Sequence, residues 1–226
     1  MRAIASFLLV FAAIFQVYGQ EQLLSLETPF DHLRVSGNIH LELHKADAQQ
    51  LIFVSEINTD ELDIENDKAV LSLKTKTELN NAPAIKLKIN YVSLDKLEVT
   101  KGGRVQSTDT LITDVLHLDL LNGGKSELYI KVDSLSARVN QGADLILYGN
   151  TRSQFVNAYT WGNYLAYDLV AVDSYVKAAT GAQVKVNTSR LLDANATSRA
   201  FVGYLTEPEQ KKVKTSLGGT ITSQTE

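Results

Sequence analysis

Cysteine is absent from the 226-residue chain, which excludes disulfide bridges, thiolate metal sites, cysteine nucleophiles and a lipid-bearing cysteine. Proline is scarce, with three residues, and none lies between Ala84 and Glu207. Positive charge is not in excess, because Lys and Arg total 22 against 26 for Asp and Glu, a net charge of -4. This balance gives no reason to expect nucleic-acid binding. A hydrophobic share of 44% excludes a disordered chain and suffices for a sizeable core.

The first residues have the pattern of a secretory signal peptide. Arg2 precedes an apolar run from Ala3 to Val17, and small residues flank a cleavage site after Gly19. This run is shorter than the roughly 20 residues of a membrane-spanning helix, and no later stretch is apolar enough to span a bilayer. We therefore expect residues 1–19 to be removed, residues 20–29 to lead the mature chain, and the product to reach the periplasm, the outer cell surface or the extracellular space.

The remainder of the chain has the period of β-strands. Apolar and polar residues alternate over residues 39–44 and again over residues 85–90, whereas helical periodicity is hard to find. Proline removes a ladder hydrogen bond, so the proline-free span of residues 84–207 is the expected continuous sheet. The sequence predicts an all-β protein.

A repeat of about 20 residues runs through this span. Turn positions recur at spacings of 21, 19, 20, 19, 18 and 19 residues. Flanking residues, most of them apolar, keep phase with them three and five residues away on each side, except after Gly123, where a longer turn shifts them to Leu128 and Ile130. A fixed period of this length is typical of a solenoid, in which stacked units bury one another's apolar side. The turn positions are Gly102, Gly123, Gly142, Gly162, Gly181, Arg199 and Gly218.

Two architectures fit individual repeats. An antiparallel meander is one, because Asn122-Gly123 and Gln141-Gly142 could form hairpin turns. A parallel β-helix is favoured, because it alone requires the same inward positions in every unit, and right-handed winding is the general preference. We predict one domain over residues 30–226, with β-rich cap strands at residues 30–92 and repeated coils at residues 93–223.

Three segments together resemble a known family, the putative auto-transporter adhesin "head GIN" domain of exported bacterial proteins. These are residues 30–43, residues 67–73 and the glycine-marked coils, while the closing stretch of residues 202–222 looks like the family's usual last two coils, and the resemblance spans roughly residues 30 to 223. It implies a right-handed parallel β-helix, export in Gram-negative bacteria and an adhesin-like role. The turns here depart from the family's Gly-Ser-Gly, and the family has no catalytic motif to transfer.

The segment from Tyr159 to Tyr167 is rich in aromatic residues and contains the only tryptophan. In the register above, Tyr159 and Tyr167 point inward, Trp161 sits on the turn and Tyr164 points outward. Exposed rings beside amide and carboxylate groups suit a sugar, because its apolar faces stack on rings and its hydroxyls take polar partners. Packing of the rings against one another is the alternative. The predicted ligand residues are Trp161, Tyr164, Gln141, Asp144 and Gln183.

Acidic residues recur before several coil strands, at Asp95, Asp114, Asp133 and Asp173. Stacked carboxylates could hold calcium or line the cleft of a polysaccharide lyase or hydrolase. Capping of the turn backbone by the same side chains is the favoured interpretation.

His40, Glu42 and His44 share one strand face and could bind zinc with His32 or His117. A solvated strand face is favoured instead. We therefore predict neither a metal nor a cofactor.

These observations favour an exported, non-enzymatic β-helical protein that binds a glycan or a cell-surface partner. A carbohydrate-active β-helical lyase or hydrolase is one alternative. A structural assembly module of the cell envelope, built from several copies of the chain, is another.

Overall fold

The computed structural model describes residues 22–26, 28–54, 61–76 and 83–224. The predicted signal peptide lies outside the described residues. These contain the following strands: β1 (Gln22–Ser25), β2 (His32–Ser36), β3 (Ile39–Lys45), β4 (Gln50–Phe53), β5 (Leu62–Asp67), β6 (Val70–Thr75), β7 (Ile85–Tyr91), β8 (Lys96–Thr100), β9 (Arg104–Leu120), β10 (Lys125–Val139), β11 (Asp144–Ala158), β12 (Asn163–Ala178), β13 (Gln183–Thr197), β14 (Phe201–Tyr204), β15 (Gln210–Ser216) and β16 (Thr220–Ser223).

The long strands β9 to β13 stack in parallel, each paired with the next along the chain, so that one strand forms one coil. Each long strand contributes its first half to one wall of the solenoid and its second half to another. The first wall also contains β3, β7, β14 and β16, and the second wall contains β2, β6, β8 and β15. The predicted parallel β-helix is confirmed, and the antiparallel alternative is wrong for these coils.

Tight turns close the coils. In each, two successive residues have positive φ, as in Asn122 (51°) and Gly123 (74°). The amide of the residue after them donates to the carbonyl of the residue before them, as Gly124 N does to Leu121 O at 3.0 Å. This is the type I′ pattern that usually joins hairpin strands, but here it joins the second wall to the first. Successive turns are also bonded to one another: Gly123 N donates to Gln141 O at 3.0 Å, and the pattern continues along what we call the turn ridge.

The core consists of apolar ladders that run along the solenoid. In the second wall one ladder joins Leu33, Leu97, Leu118, Ala137, Val156, Val176 and Ala194, and each of these side chains is buried. Each coil covers the inward residues of its neighbour, which is how a chain without disulfides holds this fold. At the last coil the inward residue Val213 is half exposed.

The N-terminal strands are more than a cap. β2 and β3 form a coil that lies between the coil of β8 and β9 on one side and that of β6 and β7 on the other. Among the described strands, antiparallel pairing involves β1, β4 and β5: β4 covers the edge of β7, β1 covers that of β4, and β5 covers that of β6. Residues 30–92, predicted as entry and cap strands, thus include β2, β3, β6 and β7, which extend the same parallel walls as the later coils.

Candidate functional site

Trp161 lies on the turn ridge with 63% of its surface exposed. Its φ of 62° places it at the second left-handed position of a type I′ turn, which a glycine occupies in the neighbouring turns at Gly142 and Gly181. Its backbone amide donates to Thr180 O at 3.1 Å, and its ring lies against Gly181. The predicted exposure of the indole on the turn is confirmed, with one ring face covered by the next turn.

Tyr164 does not belong to the exposed surface, and its predicted outward orientation is wrong. The turn residue of this coil is Trp161, not Gly162, so the true register is shifted by one residue from the predicted one. A one-residue shift in a strand exchanges the two faces. Tyr164 is consequently fully buried, whereas Tyr159 and Tyr167, predicted to point inward, are only half buried.

The buried Tyr164 hydroxyl begins a chain of hydrogen bonds inside the solenoid. It donates to Gln154 Oε1 at 2.5 Å, Gln154 Nε2 donates to Ser174 Oγ at 2.7 Å, and Ser174 shares a 2.5 Å bond with Thr188. All four residues are buried, and burial raises the pKa of Tyr164 above its ordinary value. This network joins three coils and serves the fold, not a ligand.

The predicted polar residues lie on the outer face of the first wall and the ridge beside it. Asp144, Asn163 and Gln183 occupy one row across three neighbouring strands, and Gln141 is exposed on the ridge. Asp144 accepts hydrogen bonds from Lys125 Nζ at 2.6 Å and Asn163 Nδ2 at 2.7 Å. Partial burial tends to raise the pKa of Asp144, but the hydrogen bonds outweigh it and hold that pKa below its ordinary value. Asp144 is therefore a carboxylate at neutral pH.

Two tyrosines that the sequence analysis missed lie on the same face. Tyr129 and Tyr148 stack with their ring centroids 4.8 Å apart and an interplanar angle of 19°, and Tyr129 is half exposed. Two residues before Tyr148, Ile146 adds an apolar surface between the rings and the Asp144 row. The tyrosines are 19 residues apart in the sequence, which equals one coil, and this spacing could have predicted that they are neighbours on adjacent strands.

The second wall carries a comparable pair on its own outer face. Phe155 and Tyr175 stack at 4.9 Å with an interplanar angle of 7°. In the same row, Ser136 lies beside Phe155 and Asp193 lies beside Tyr175. The Asp144 row of the first wall, by contrast, offers one carboxylate and two amides. The two pairs thus provide similar rings in different polar surroundings.

A groove of about 480 Å³ opens on the first wall beside the tyrosine pair. Its lining includes Asp144 and Ile146 from the rows just described and the outward residues His40, Glu42, Lys86, Arg104, Gln106, Lys125 and Glu127. Tyr148 donates to Glu127 Oε1 at 3.1 Å, so the groove and the rings share a border. This bond, the largest cause, raises the pKa of Tyr148.

The acidic and histidine candidates are dispersed. Asp95 accepts from Thr113 Oγ1 at 2.7 Å, Asp133 pairs with Arg152 at 2.8 Å and Asp173 pairs with Arg190. His32 lies 3.0 Å from Glu98 on the second wall, whereas His40 and His44 lie on the first. Within the described ranges, no three His, Asp or Glu residues are grouped as a metal site.

Fold and surface together define a β-solenoid that offers an exposed aromatic and polar face along its parallel strands. The chain belongs to the family described as putative auto-transporter adhesin, head GIN domain, whose sequence model matches residues 29–208. No curated protein matches its sequence. The described residues include no helix long and apolar enough to cross a membrane.

Solved structures share the fold at low identity. A putative adhesin from Bacteroides fragilis is 16% identical, with a TM-score of 0.76 over 91% of this chain and 98% of its own. A putative lipid binding protein from Parabacteroides distasonis is 18% identical, with a TM-score of 0.70 over 91% and 97%. A putative adhesin from Parabacteroides merdae is 13% identical, with a TM-score of 0.71 over 90% and 95%. These similarities extend over nearly the whole fold.

Proposed function

We propose that the protein is an exported, non-enzymatic binding module that holds a glycan against the outer face of its first wall. The stacked pair of Tyr129 and Tyr148, exposed beside the polar row of Asp144, carries this proposal. Aromatic rings take the apolar faces of a sugar, and amide and carboxylate groups take its hydroxyls. The family's description as an adhesin and the names of the two similar adhesin structures support a binding role at the cell surface.

Rigid parallel coils suit this role because the face is already formed before a ligand arrives. Each outward residue is fixed by ladder hydrogen bonds on both sides, so binding costs little ordering of the backbone. Trp161 and Gln141 lie on the adjoining ridge and can extend the contact to a longer chain.

The experiment compares two matched pairs of aromatic residues. Glycan-array and cell-wall pull-down binding of the purified protein is measured for the wild type, for Tyr129→Ala with Tyr148→Ala, and for Phe155→Ala with Tyr175→Ala. We expect the first variant to lose at least tenfold in affinity, since each ring that stacks on a ligand contributes about 1 kcal/mol or more. The second-wall variant should bind as the wild type does. Equal losses in both variants, or no glycan binding by the wild type, would refute the site.

Enzymatic turnover is the outcome that would overturn the non-enzymatic part. The purified protein is incubated with a polysaccharide panel, and reducing ends are measured over time. We expect none to be released, and sustained release would place the chain among the carbohydrate-active β-helical enzymes instead.

A further inference from the structure

Three cationic side chains and one histidine form a row across the groove of the first wall. Lys86 of β7, His40 of β3, Arg104 of β9 and Lys125 of β10 are direct neighbours in the parallel register, with Asp144 next in line. Neighbouring strands lie about 4.8 Å apart, so the row runs perpendicular to the strands with one side chain per step. All of these side chains line the groove.

The carboxylates of the groove already have partners. Asp144 is held by Lys125 and Asn163, Glu127 accepts from Tyr148, and Glu42 accepts from Gln106 Nε2 at 3.1 Å. Each acid therefore accepts a hydrogen bond, and Asp144 is in addition paired with the cation of Lys125.

Lys86 and Arg104, unlike Lys125, are not held by a carboxylate of the groove. In the described part of the chain neither side chain has a carboxylate within 4.0 Å, and both are exposed. Between them His40 has a lowered pKa, first because it is partly buried and then because both cations are near. A neutral imidazole flanked by two cations offers an anion hydrogen bonds and a local excess of positive charge at this end of the groove, while the carboxylates of the lining lie on other positions.

We propose that this groove binds the anionic group of an acidic sugar, a carboxylate or an ester sulfate, between Lys86 and Arg104 over His40. The inference rests on the proposed glycan-binding function and adds the charge of the ligand. Arg104 presents a planar fork that matches a carboxylate or sulfate, and Lys86 adds a second point of charge.

The same glycan chain can reach the tyrosine pair. Tyr129 lies four residues beyond Lys125, the strand neighbour of Arg104, which corresponds to roughly 13 Å along the sheet. An acidic sugar in the groove and a neighbouring sugar on Tyr129 and Tyr148 would therefore belong to one extended ligand. Charge would fix its register and the rings would add affinity.

The test uses two pairs of probes, each with a charged and an uncharged member built on the same sugar backbone: oligogalacturonate with its methyl ester, and dextran sulfate with dextran. Binding to the purified protein is measured by calorimetry for the wild type, for Lys86→Gln with Arg104→Gln, and for Lys177→Gln with Lys214→Gln. The last pair removes the same charge from exposed lysines on the second wall. We expect the wild type to prefer a charged probe at least tenfold, and only the groove variant to lose that preference.

Each outcome separates the two proposals. If the groove variant keeps its preference while Tyr129→Ala with Tyr148→Ala loses binding, the acidic-sugar inference is wrong and the glycan site remains. If the wild type binds none of the four probes, the inference also fails. Preference for oligogalacturonate over dextran sulfate identifies a carboxylate, and the reverse identifies a sulfate. Binding to phosphatidylglycerol vesicles without binding to either charged probe would replace the sugar with a membrane surface.

Discussion

The indole of Trp161 lies directly on Gly181, the glycine of the next turn along the ridge. A Cβ built on Gly181 would come within 2.9 Å of the ring atoms Cε3 and Cζ3, closer than real contacts allow. The ring of Trp161 can therefore lie against the next turn only because residue 181 has no side chain. Its orientation toward solvent depends on a residue 20 positions later in the sequence.

Replacement of Gly181 by alanine should displace the tryptophan ring. The variant loses stability through the left-handed backbone, by about 1 to 2 kcal/mol, and the new methyl group pushes the ring outward. Because Trp161 is the only tryptophan, intrinsic fluorescence reports on it alone. We expect a red-shifted emission maximum in Gly181→Ala.

Gly142→Ala is the matched control for this change. Gly142 has φ of 70° against 71° for Gly181, but no atom lies within 4 Å of the position of its Cβ. It should lose similar stability without any change in emission. An unchanged emission maximum in Gly181→Ala would contradict the ring contact.

Removal of the Tyr164 hydroxyl should weaken the fold. Tyr164→Phe leaves Gln154 Oε1 without its 2.5 Å donor in a fully buried site, which costs about 1 to 3 kcal/mol. The measurement is the free energy of unfolding in urea. Tyr148→Phe is the control, because its hydroxyl bonds Glu127 at the surface and its loss should cost less than about 0.5 kcal/mol. If both variants lost the same free energy of unfolding, the buried network would contribute no more to stability than the surface hydrogen bond does.

Stability should depend on the charge of Asp144. Its pKa in the folded protein lies below the ordinary value of 3.8, so the unfolded chain binds the proton more readily. The carboxylate therefore stabilises the fold above pH 3.8, and this contribution is lost as pH falls through the lowered folded pKa. We expect Asp144→Asn to be less stable than the wild type at neutral pH, with a difference that shrinks below pH 3.8 in urea titrations. If the stability difference between the wild type and Asp144→Asn grew in acid, the folded-state pKa of Asp144 would have to be raised, which would contradict this prediction.

Replacement of Arg199 by glycine should stabilise the protein. Arg199 has φ of 62° at the same turn position as Trp161, and a side chain there costs about 1 to 2 kcal/mol. Part of the gain is offset by the greater freedom of glycine in the unfolded chain, which leaves up to about 1 kcal/mol. Lys177→Gly, in an extended strand, should destabilise instead. Thermal unfolding of both variants measures the contrast, and a loss in both would contradict the turn assignment.

The repeat was predictable because inward side chains stack on their counterparts in every coil. Period and alternation were enough to place the coils from residue 93 onward and all but one of their predicted turn residues. The error at Gly162 arose because glycine is the expected residue for a left-handed turn position, while Trp161 occupies that position despite its cost. One misplaced turn then reversed Tyr159, Tyr164 and Tyr167 together.

Strand order in the N-terminal part could not be predicted. Alternation shows that β2, β3, β6 and β7 are strands, but it does not say which strand each one pairs with. Surface pairs such as Tyr129 and Tyr148 become visible only when the coil register is known, because outward residues follow no apolar pattern. The register between β9 and β10 also shifts locally: Glu127 of β10 lies beside Gln106 of β9, but Tyr129 lies beside Thr110.

The coil of β2 and β3 lies inside the solenoid although it comes first in the chain. Both edges of this coil pair with strands from residues 70–107: β6 and β7 cover one edge, and β8 and β9 cover the other. The contacts of this coil therefore join strands that are far apart in the sequence, on both of its sides. Slow nucleation followed by rapid coil-by-coil growth is the kinetic behaviour that such a contact order favours.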